Sequence, residues 1–589
     1  MAVQLVQEEE IPKANGIAVS PENYPALYNW PTTNENGYSI NEVASGTARK
    51  LRIICAGAGA SGINLAKFAQ DRLQNVDLVI YEKNNDVAGT WWENKYPGCA
   101  CDIPSVTYQF SWNPEVWSKY YAEASEIFAY FKGVVDKFDL WKYIKLSHEV
   151  QRADWDEEAG RWNLKIRDLA TGAEIDEQCD IFVNAMGFLN KWKWPDIQGL
   201  HSFKGILTHS AAWPDDLDLK GKRVAVVGNG SSGIQIVANI QKDVSKLYTW
   251  VRTPTWMTAG FAQKYAGENG TNFEYSEEQK KRFRNDPDYY LKYRKSVEVE
   301  MVRGFYVFHK NTPDSMAAMK FAHTEMTGRL KGHEKLAEAL IPKTFPVGCK
   351  RPTPGNGYLE ALIEENVQVY CEGGLSQITP KGFIDPDGVE QEVDVIICAT
   401  GFDTSWVPRF PIVANGINLQ DLYAKKPIGY LGVGAPSMPN YFTFYGPYGP
   451  LGQGSAMPMI ELFASYIVQM VRKIQLEDIK SITPKTEIID QYAEHADLFN
   501  KRTVYDAPCR SWFKGGTIDG RIMLHPGTRL QYMELLSSPR YEDYHIKYRH
   551  GNVWYWLGNG FSMRDLDGRD LTFYLGLVDG IDEQRDYDV

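Results

Sequence analysis

Two clusters of glycine mark where this chain can do chemistry. Gly57, Gly59 and Gly62 fall in the run Gly57-Ala58-Gly59-Ala60-Ser61-Gly62, and Gly228, Gly230 and Gly233 in Gly228-Asn229-Gly230-Ser231-Ser232-Gly233. At this spacing the first glycine permits a tight turn. The second lets backbone approach a pyrophosphate, and the third lets a helix pack closely on a strand. Unpaired N–H groups at the start of that helix, here including Ser231 and Ser232, receive the phosphate charge. The residues that would read the ribose differ in sign. After the first cluster, the run Val76–Tyr81 ends at Glu82; after the second, Lys246–Val251 ends at Arg252. A carboxylate ~20 residues past the glycines accepts hydrogen bonds from ribose hydroxyls, whereas an arginine suits a 2′-phosphate. The sequence therefore reads as holding two different dinucleotides. The natural pair is FAD on Glu82 and NADPH on Arg252 with Thr253, so that electrons pass from nicotinamide to flavin.

Such glycines count only between a strand and a helix. Leu51–Ala56 and Arg223–Val227 are short apolar runs of the kind found in buried parallel strands. Ile63–Ala69 and Ile234–Ile240 read as the following helices. A second internal echo supports the pairing: Asp180-Ile181-Phe182-Val183-Asn184-Ala185-Met186-Gly187-Phe188 recurs as Asp394-Val395-Ile396-Ile397-Cys398-Ala399-Thr400-Gly401-Phe402. Each copy should be a buried strand whose terminal glycine brings backbone near a ligand. The fold class expected is α/β. It has two Rossmann-like dinucleotide-binding domains, the NADP domain inserted in the FAD domain and itself carrying a helical insertion. The boundaries are an N-terminal arm over 1–50, FAD domain over 51–200, NADP domain over 201–260, helical insertion over 261–345, NADP domain again over 346–393, and FAD domain with the C-terminal region over 394–589. Within the insertion, Ser276-Glu277-Glu278-Gln279 is a capping-box pattern and Thr312-Pro313 starts a helix that Gly332 ends. Asp387-Gly388 reads as a hairpin turn, and Asn269-Gly270-Thr271 as a turn rather than a glycosylation site.

The chain has 589 residues, 43% hydrophobic and 23% charged, as expected of a globular enzyme. A net charge of −12 argues against nucleic acid as a partner. The 8 cysteines are scattered, and no disulfide framework is evident, which points to a reducing, cytoplasmic setting. The start, with Glu8-Glu9-Glu10, is not that of a signal peptide. No apolar run approaches the ~18 residues of a membrane span. No Cys/His cluster has metal-ligand spacing, so no metal is expected. Cys99-Ala100-Cys101 lacks the usual spacing of a redox pair, which argues against a disulfide reductase.

Two dinucleotides do not choose among a reductase, an N- or S-oxygenase and a ketone oxygenase. The stretch Phe203-Lys204-Gly205-Ile206-Leu207-Thr208-His209-Ser210-Ala211-Ala212-Trp213-Pro214 resembles the F-x-G-x-x-x-H-x-x-x-W-[PD] signature of type I Baeyer–Villiger monooxygenases. Gly89-Thr90-Trp91, Tyr96-Pro97-Gly98 and Cys101-Asp102 resemble a second motif of that family, and Gly348-Cys349-Lys350-Arg351-Pro352 a third. The resemblance covers roughly residues 50–520. It implies a ketone substrate, O2, and an ester or lactone product formed through a C4a-peroxyflavin. Arg351 would stabilise the negative oxygen, because a guanidinium keeps its proton at working pH. Asp102 would hold that arginine, and Lys350 would join Arg252 and Thr253 on the 2′-phosphate. Thr90, Trp91, Trp92 and Tyr108 would lie along the flavin, Val150 would offer backbone to the adenine, and Trp512 would stand near the nicotinamide, a core tryptophan being the alternative reading. His209 reads first as a structural histidine, to which the family adds a hinge or relay role. The chain departs from the common pattern at Ala100, where arginine is frequent, and at Glu93, where tryptophan is common. The arm and aromatic stretches such as Tyr441–Tyr445 resemble longer members that accept large or cyclic ketones. The rival with the same two domains is an N- or S-oxygenating flavin enzyme.

Overall fold

The structure is a computed structural model that describes residues 29–258 and 262–576. Glu8-Glu9-Glu10 and most of the N-terminal arm lie outside the described residues. The chain divides into two units, one of 51–470 with 482–545 and one of 1–50, 471–481 and 546–589.

In the larger unit both apolar runs before the glycine turns are central strands of five-stranded, all-parallel sheets. The first sheet runs in the order Tyr441–Thr443, Ile181–Asn184, Leu51–Ala56, Val76–Tyr81, Ile144–Lys145. The second runs Val367–Tyr370, Lys246–Trp250, Arg223–Val227, Val395–Cys398, Ile206–His209. Strands buried on both faces need near-continuous apolar sequence, which is what these runs supply. Helices Ala60–Arg72 and Ser231–Ile240 follow the two turns.

The internal echo has an atomic basis. In each copy the aspartate fixes the start of the strand before the glycine turn: Arg52 N–H donates to Asp180 at 2.8 Å, and Arg223 N–H to Asp394 at 2.7 Å. In each copy the alanine carbonyl presses on the first glycine of that turn. Gly57 (φ +104°) faces the Ala185 carbonyl and Gly228 (φ +121°) the Ala399 carbonyl, so a β-carbon at either would collide with backbone. Both values lie where only glycine is relaxed.

The chain enters the second sheet at Ile206 and leaves it at Cys398. It then joins a third, mixed sheet, in which Ile412–Ala414 lies parallel to His148–Asp156. Within this excursion fall helices Glu277–Asn285, Pro287–Val302, Pro313–Arg329 and Glu334–Leu340. Ser276 caps the first by accepting from Gln279 N–H, and Thr312 caps the third by accepting from Ser315 N–H. Strands Gly382–Ile384 and Glu390–Glu392 form the hairpin around Gly388. The α/β architecture with one dinucleotide-type sheet inserted in the other is the one observed, but Val395–Cys398, expected in the FAD domain that resumes at 394, is a strand of the second sheet.

In the smaller unit Ala44 and Ser45 bridge to Gly558 and Ser562, Arg49 donates to the Ile479 carbonyl at 2.8 Å, and Arg549 pairs with Asp478 at 3.4 Å. Residues 29–50, expected as an N-terminal arm, are built into a folded unit with C-terminal segments. Among the described residues no helix is long and apolar enough to cross a membrane.

One pairing was not expected: Cys349 and Cys509 form a disulfide across 160 residues. It joins the segment carrying Lys350 and Arg351 to the one leading to Trp512. Spacing could not disclose it, because the two cysteines meet only once the NADP-type sheet and the C-terminal segment have folded. Alkylation in denaturant without reductant is expected to label only the six cysteines found as free thiols, and all of them plus this pair after reduction. Mass spectrometry of the intact chain would distinguish the two counts.

Candidate functional site

Both glycine turns open onto one continuous cavity of about 2380 Å³ in the larger unit. Pockets for a single drug-sized ligand measure ~300–1,000 Å³, so this space suits two large ligands side by side. Gly57, Gly59, Glu82, Thr90, Trp91, Asp102, Tyr108 and Val150 line it on one side. Gly228, Gly230, Ser231, Ser232, Arg252, Thr253, Lys350 and Arg351 line it on the other, and Trp512 also reaches it. Gly62 and Gly233 lie behind, each packed on the first glycine of its own turn.

The first turn is shaped for a pyrophosphate. A β-carbon at Gly59 would approach only Gly89, and Gly59 caps the helix Ala60–Arg72 with no side chain on its N-terminal N–H groups. Such a helix end attracts negative charge. Glu82, 4% exposed, accepts from Ala58 N–H at 2.8 Å with one oxygen and from Asn84 N–H at 2.9 Å with the other. Burial raises its pKa above the usual range, while these two bonds pull the other way. Each oxygen keeps a lone pair for a ribose hydroxyl. Val150 sits at a register shift in the strand His148–Asp156.

The second turn is shaped the same way. No atom lies within 4 Å of a β-carbon built on Gly230, and the helix Ser231–Ile240 has no side-chain cap. Asn229 donates to the Thr253 carbonyl at 2.8 Å, tying the turn to the end of the Lys246–Trp250 strand. Arg252 emerges there against Gly374. Lys350 donates to the Pro254 carbonyl at 3.0 Å. Burial, and then the positive charge of Arg252, hold its ammonium below the ordinary lysine range. Two cations brought together in an acidic protein would suit a dianion.

Arg351 and Asp102 meet where the two halves of the cavity join. Arg351 Nε donates to Asp102 Oδ2 at 2.6 Å and Nη2 to Oδ1 at 2.9 Å, a two-pronged pair with side chains 25% and 28% exposed. Burial alone would lower the arginine pKa, but the charge of Asp102 and its hydrogen bonds outweigh it and raise the value. The guanidinium is thus a permanent, oriented cation facing the cavity. Beside it, Trp91 donates from Nε1 to the Tyr108 hydroxyl at 3.2 Å, with the two rings edge to face. Trp92 does not line the cavity. Its ring packs on Phe128 at 5.3 Å and under the Lys95 ammonium at 4.0 Å.

His209 is fully buried and stacks on Trp192 at 4.5 Å. Its Nδ1 accepts from Ala211 N–H at 3.1 Å, and Nε2 lies 3.3 Å from the Thr400 hydroxyl. Burial pushes its pKa down to about 4, so the folded protein holds it neutral. A group whose folded pKa lies below its unfolded one adds stability that is complete above the unfolded value, ~6.5 for histidine, and is lost as the pH falls. Thermal denaturation between pH 6.5 and 4 should therefore show a shallower fall in Tm for H209Q than for the natural protein. Equal slopes would contradict a neutral His209.

Several residues named from the sequence only as motif, departure or stretch residues prove to line the cavity. Tyr96 donates to Gln235 at 2.8 Å, and Gln235 donates to the Ala100 carbonyl at 3.0 Å, so the second motif docks on the helix of the second glycine turn. At Ala100 no guanidinium is available, and its backbone serves this contact. Glu93 pairs with Lys83 at 2.7 Å. Of the stretch Tyr441–Tyr445, the strand Tyr441–Thr443 is buried in the first sheet and only Tyr445 lines the cavity. Phe188 was legible as the last residue of the echo, but not as a cavity residue.

The geometry agrees with what known proteins show. The flavin-binding monooxygenase-like family profile matches residues 48–268. The FAD-binding monooxygenase stcW of Emericella nidulans is 38% identical, over 92% of this chain and 91% of its own length. A Baeyer–Villiger monooxygenase of Pseudomonas aeruginosa is 31% identical, over 85% of this chain and 92% of its own. This chain belongs to the Baeyer–Villiger monooxygenase family. The crystal structure of cyclohexanone monooxygenase from Rhodococcus sp. Phi1 bound to NADP+ superposes with a TM-score of 0.73 at 27% identity, covering 85% of this chain and all of that one. As a Baeyer–Villiger family member the chain is a flavoprotein monooxygenase, and the two sheets correspond to the FAD and NADP domains of that architecture.

Proposed function

We propose that this protein uses NADPH and O2 to convert ketones, bulky or cyclic ones among them, to esters or lactones. The observation that carries the reading is the Arg351–Asp102 pair, set in a cavity that both glycine turns share. The residues present fit FAD at Gly57, Gly59, Glu82 and Val150, and NADPH at Gly228, Gly230, Arg252, Thr253 and Lys350. Flavin bound there and reduced by nicotinamide supplies the electrons that activate O2.

The chain's own groups do the rest. Ketone oxygenation requires an oxygen that attacks carbonyl carbon while it bears negative charge. Arg351 offers a fixed positive charge at that position, which is worth more in a cavity without bulk water than in solution. Asp102 holds both prongs of the guanidinium and so fixes its direction. Arg252 and Lys350 select the phosphorylated cofactor. Tyr108 and Trp91 form a wall beside Arg351, and Trp512 closes the cavity where the nicotinamide would lie.

The test is a panel of ketones, amines and sulfides given to the yellow holoprotein with NADPH. One NADPH and one O2 should be consumed per ester or lactone formed, each product one oxygen atom heavier than its ketone. Oxygenation of amines with no ester or lactone from any ketone would favour the N-oxygenating reading instead.

A further inference from the structure

The chain passes from the first parallel sheet to the second over 185–205 and from the second to the mixed sheet over 399–411, and one side chain laces these two crossings together. Arg409, on the second crossing, donates from Nε to Asn190 Oδ1 at 2.7 Å and from Nη2 to the Phe188 carbonyl at 3.2 Å, both on the first crossing. On its own crossing it donates from Nη1 to the Asp403 carboxylate at 2.9 Å and from Nη2 to the Asp403 carbonyl at 3.0 Å. Asp403 N–H in turn donates to the Lys191 carbonyl at 2.7 Å, and Trp192 bridges to Phe402. Only the planar fork of an arginine makes such a set.

This lacing reaches the cavity through a ring. Phe188 is sandwiched between Trp406 at 5.3 Å and Trp512 at 5.3 Å, both near parallel to it. Trp406 takes a left-handed backbone (φ +64°), unusual for a residue with a β-carbon. The turn after Trp512 rests on the same crossing, since a β-carbon on Gly516 would lie 3.0 Å from the Thr404 hydroxyl. Trp512 is therefore held by the crossings as well as by its own segment, where it packs on Phe513 at 4.2 Å.

We propose that Arg409 is a positioning residue: by holding the two crossings as one body it fixes Trp512 at the cavity, so that reduction and ketone oxygenation stay coupled. The coupling half of this rests on the function proposed above; the positioning half does not. The experiment compares the holoenzyme with R409Q, R409K, F188L and F188Y. Hydrogen–deuterium exchange should rise several-fold in peptides covering 505–520 for R409Q, R409K and F188L, while the strands Leu51–Ala56 and Arg223–Val227 keep their protection. F188Y, which preserves the sandwich, should behave as the natural protein does. In the three perturbed variants more NADPH should end as peroxide (NADPH + H+ + O2 → NADP+ + H2O2), and ester formation should fall by more than flavin reduction does. Unchanged exchange at 505–520, or a rise spread equally over both sheets, would overturn the proposal. If R409Q does not fold, R409K, which keeps the charge and loses the fork, carries the test of the lacing, and F188L tests the ring that passes it on to Trp512. If the natural enzyme makes no ester, the functional reading fails alone and the exchange result still decides the positioning role.

Discussion

Replacing Arg351 with alanine is expected to abolish ester formation while NADPH still bleaches the flavin at a substantial fraction of the natural rate. The two steps separate because they ask different things of the site. Hydride transfer needs two rings held close, a task proposed here for the glycine turns, Glu82 and Arg252. Oxygen insertion needs positive charge where negative charge develops, and Arg351 is the cation that Asp102 aims into the shared cavity. Removing one preorganised donor of this kind costs ~10²–10³ in rate. The alanine variant also leaves the Asp102 carboxylate partly buried without its partner, which costs stability, so R351K is the better-behaved companion. Lysine retains the charge but not the two-pronged contact, and its ester rate should fall between the other two. Stopped-flow absorbance reads reduction, and gas chromatography reads ester. Parallel loss of both steps would mean that Arg351 holds the cofactors rather than the reacting oxygen.

Replacing Arg252 with alanine is expected to raise the KM for NADPH by about 10- to 100-fold, the worth of a charge-assisted hydrogen bond of ~1.5–3 kcal/mol, and to lower kcat far less. A change in KM with kcat preserved is the mark of binding felt equally in ground and transition states. The KM for NADH should hardly move, so the preference between the coenzymes collapses. Lys350→Ala should do the same more weakly, because that ammonium already gives one bond to the Pro254 carbonyl. Equal losses with both coenzymes would remove Arg252 and Lys350 from the 2′-phosphate.

Much of this was legible in the sequence because the relevant signals are local. The glycine spacing, the apolar runs before it and the charged residues at Glu82 and Arg252 all sit within single strand–turn–helix units, where backbone geometry dictates residue type. The echo ending at Phe188 and Phe402 was legible for the same reason: each copy must pack its alanine carbonyl on a glycine of the neighbouring strand. What stayed hidden depends on contacts between distant segments. Trp92 faces away from the cavity because a short helix, Thr90–Glu93, turns successive side chains in different directions, and the motif does not encode that. The Cys349–Cys509 bond spans 160 residues. Tyr441 and Phe442 read only as part of an aromatic stretch, because aromatic composition alone does not separate a buried strand from a binding wall. The Arg409 lacing joins two segments more than two hundred residues apart, and nothing in either segment announces the other.

Oxygen-18 gas tests the central claim most directly. The holoenzyme is given NADPH, a cyclic ketone and ¹⁸O2, and the product is fragmented in a mass spectrometer to locate the label. A cation at Arg351 serving a negatively charged oxygen predicts a lactone with the heavy atom in the ring, beside the carbonyl, and none when NADPH is withheld. Label found only in peroxide or water, with the ketone recovered intact from every ring size tried, would contradict it.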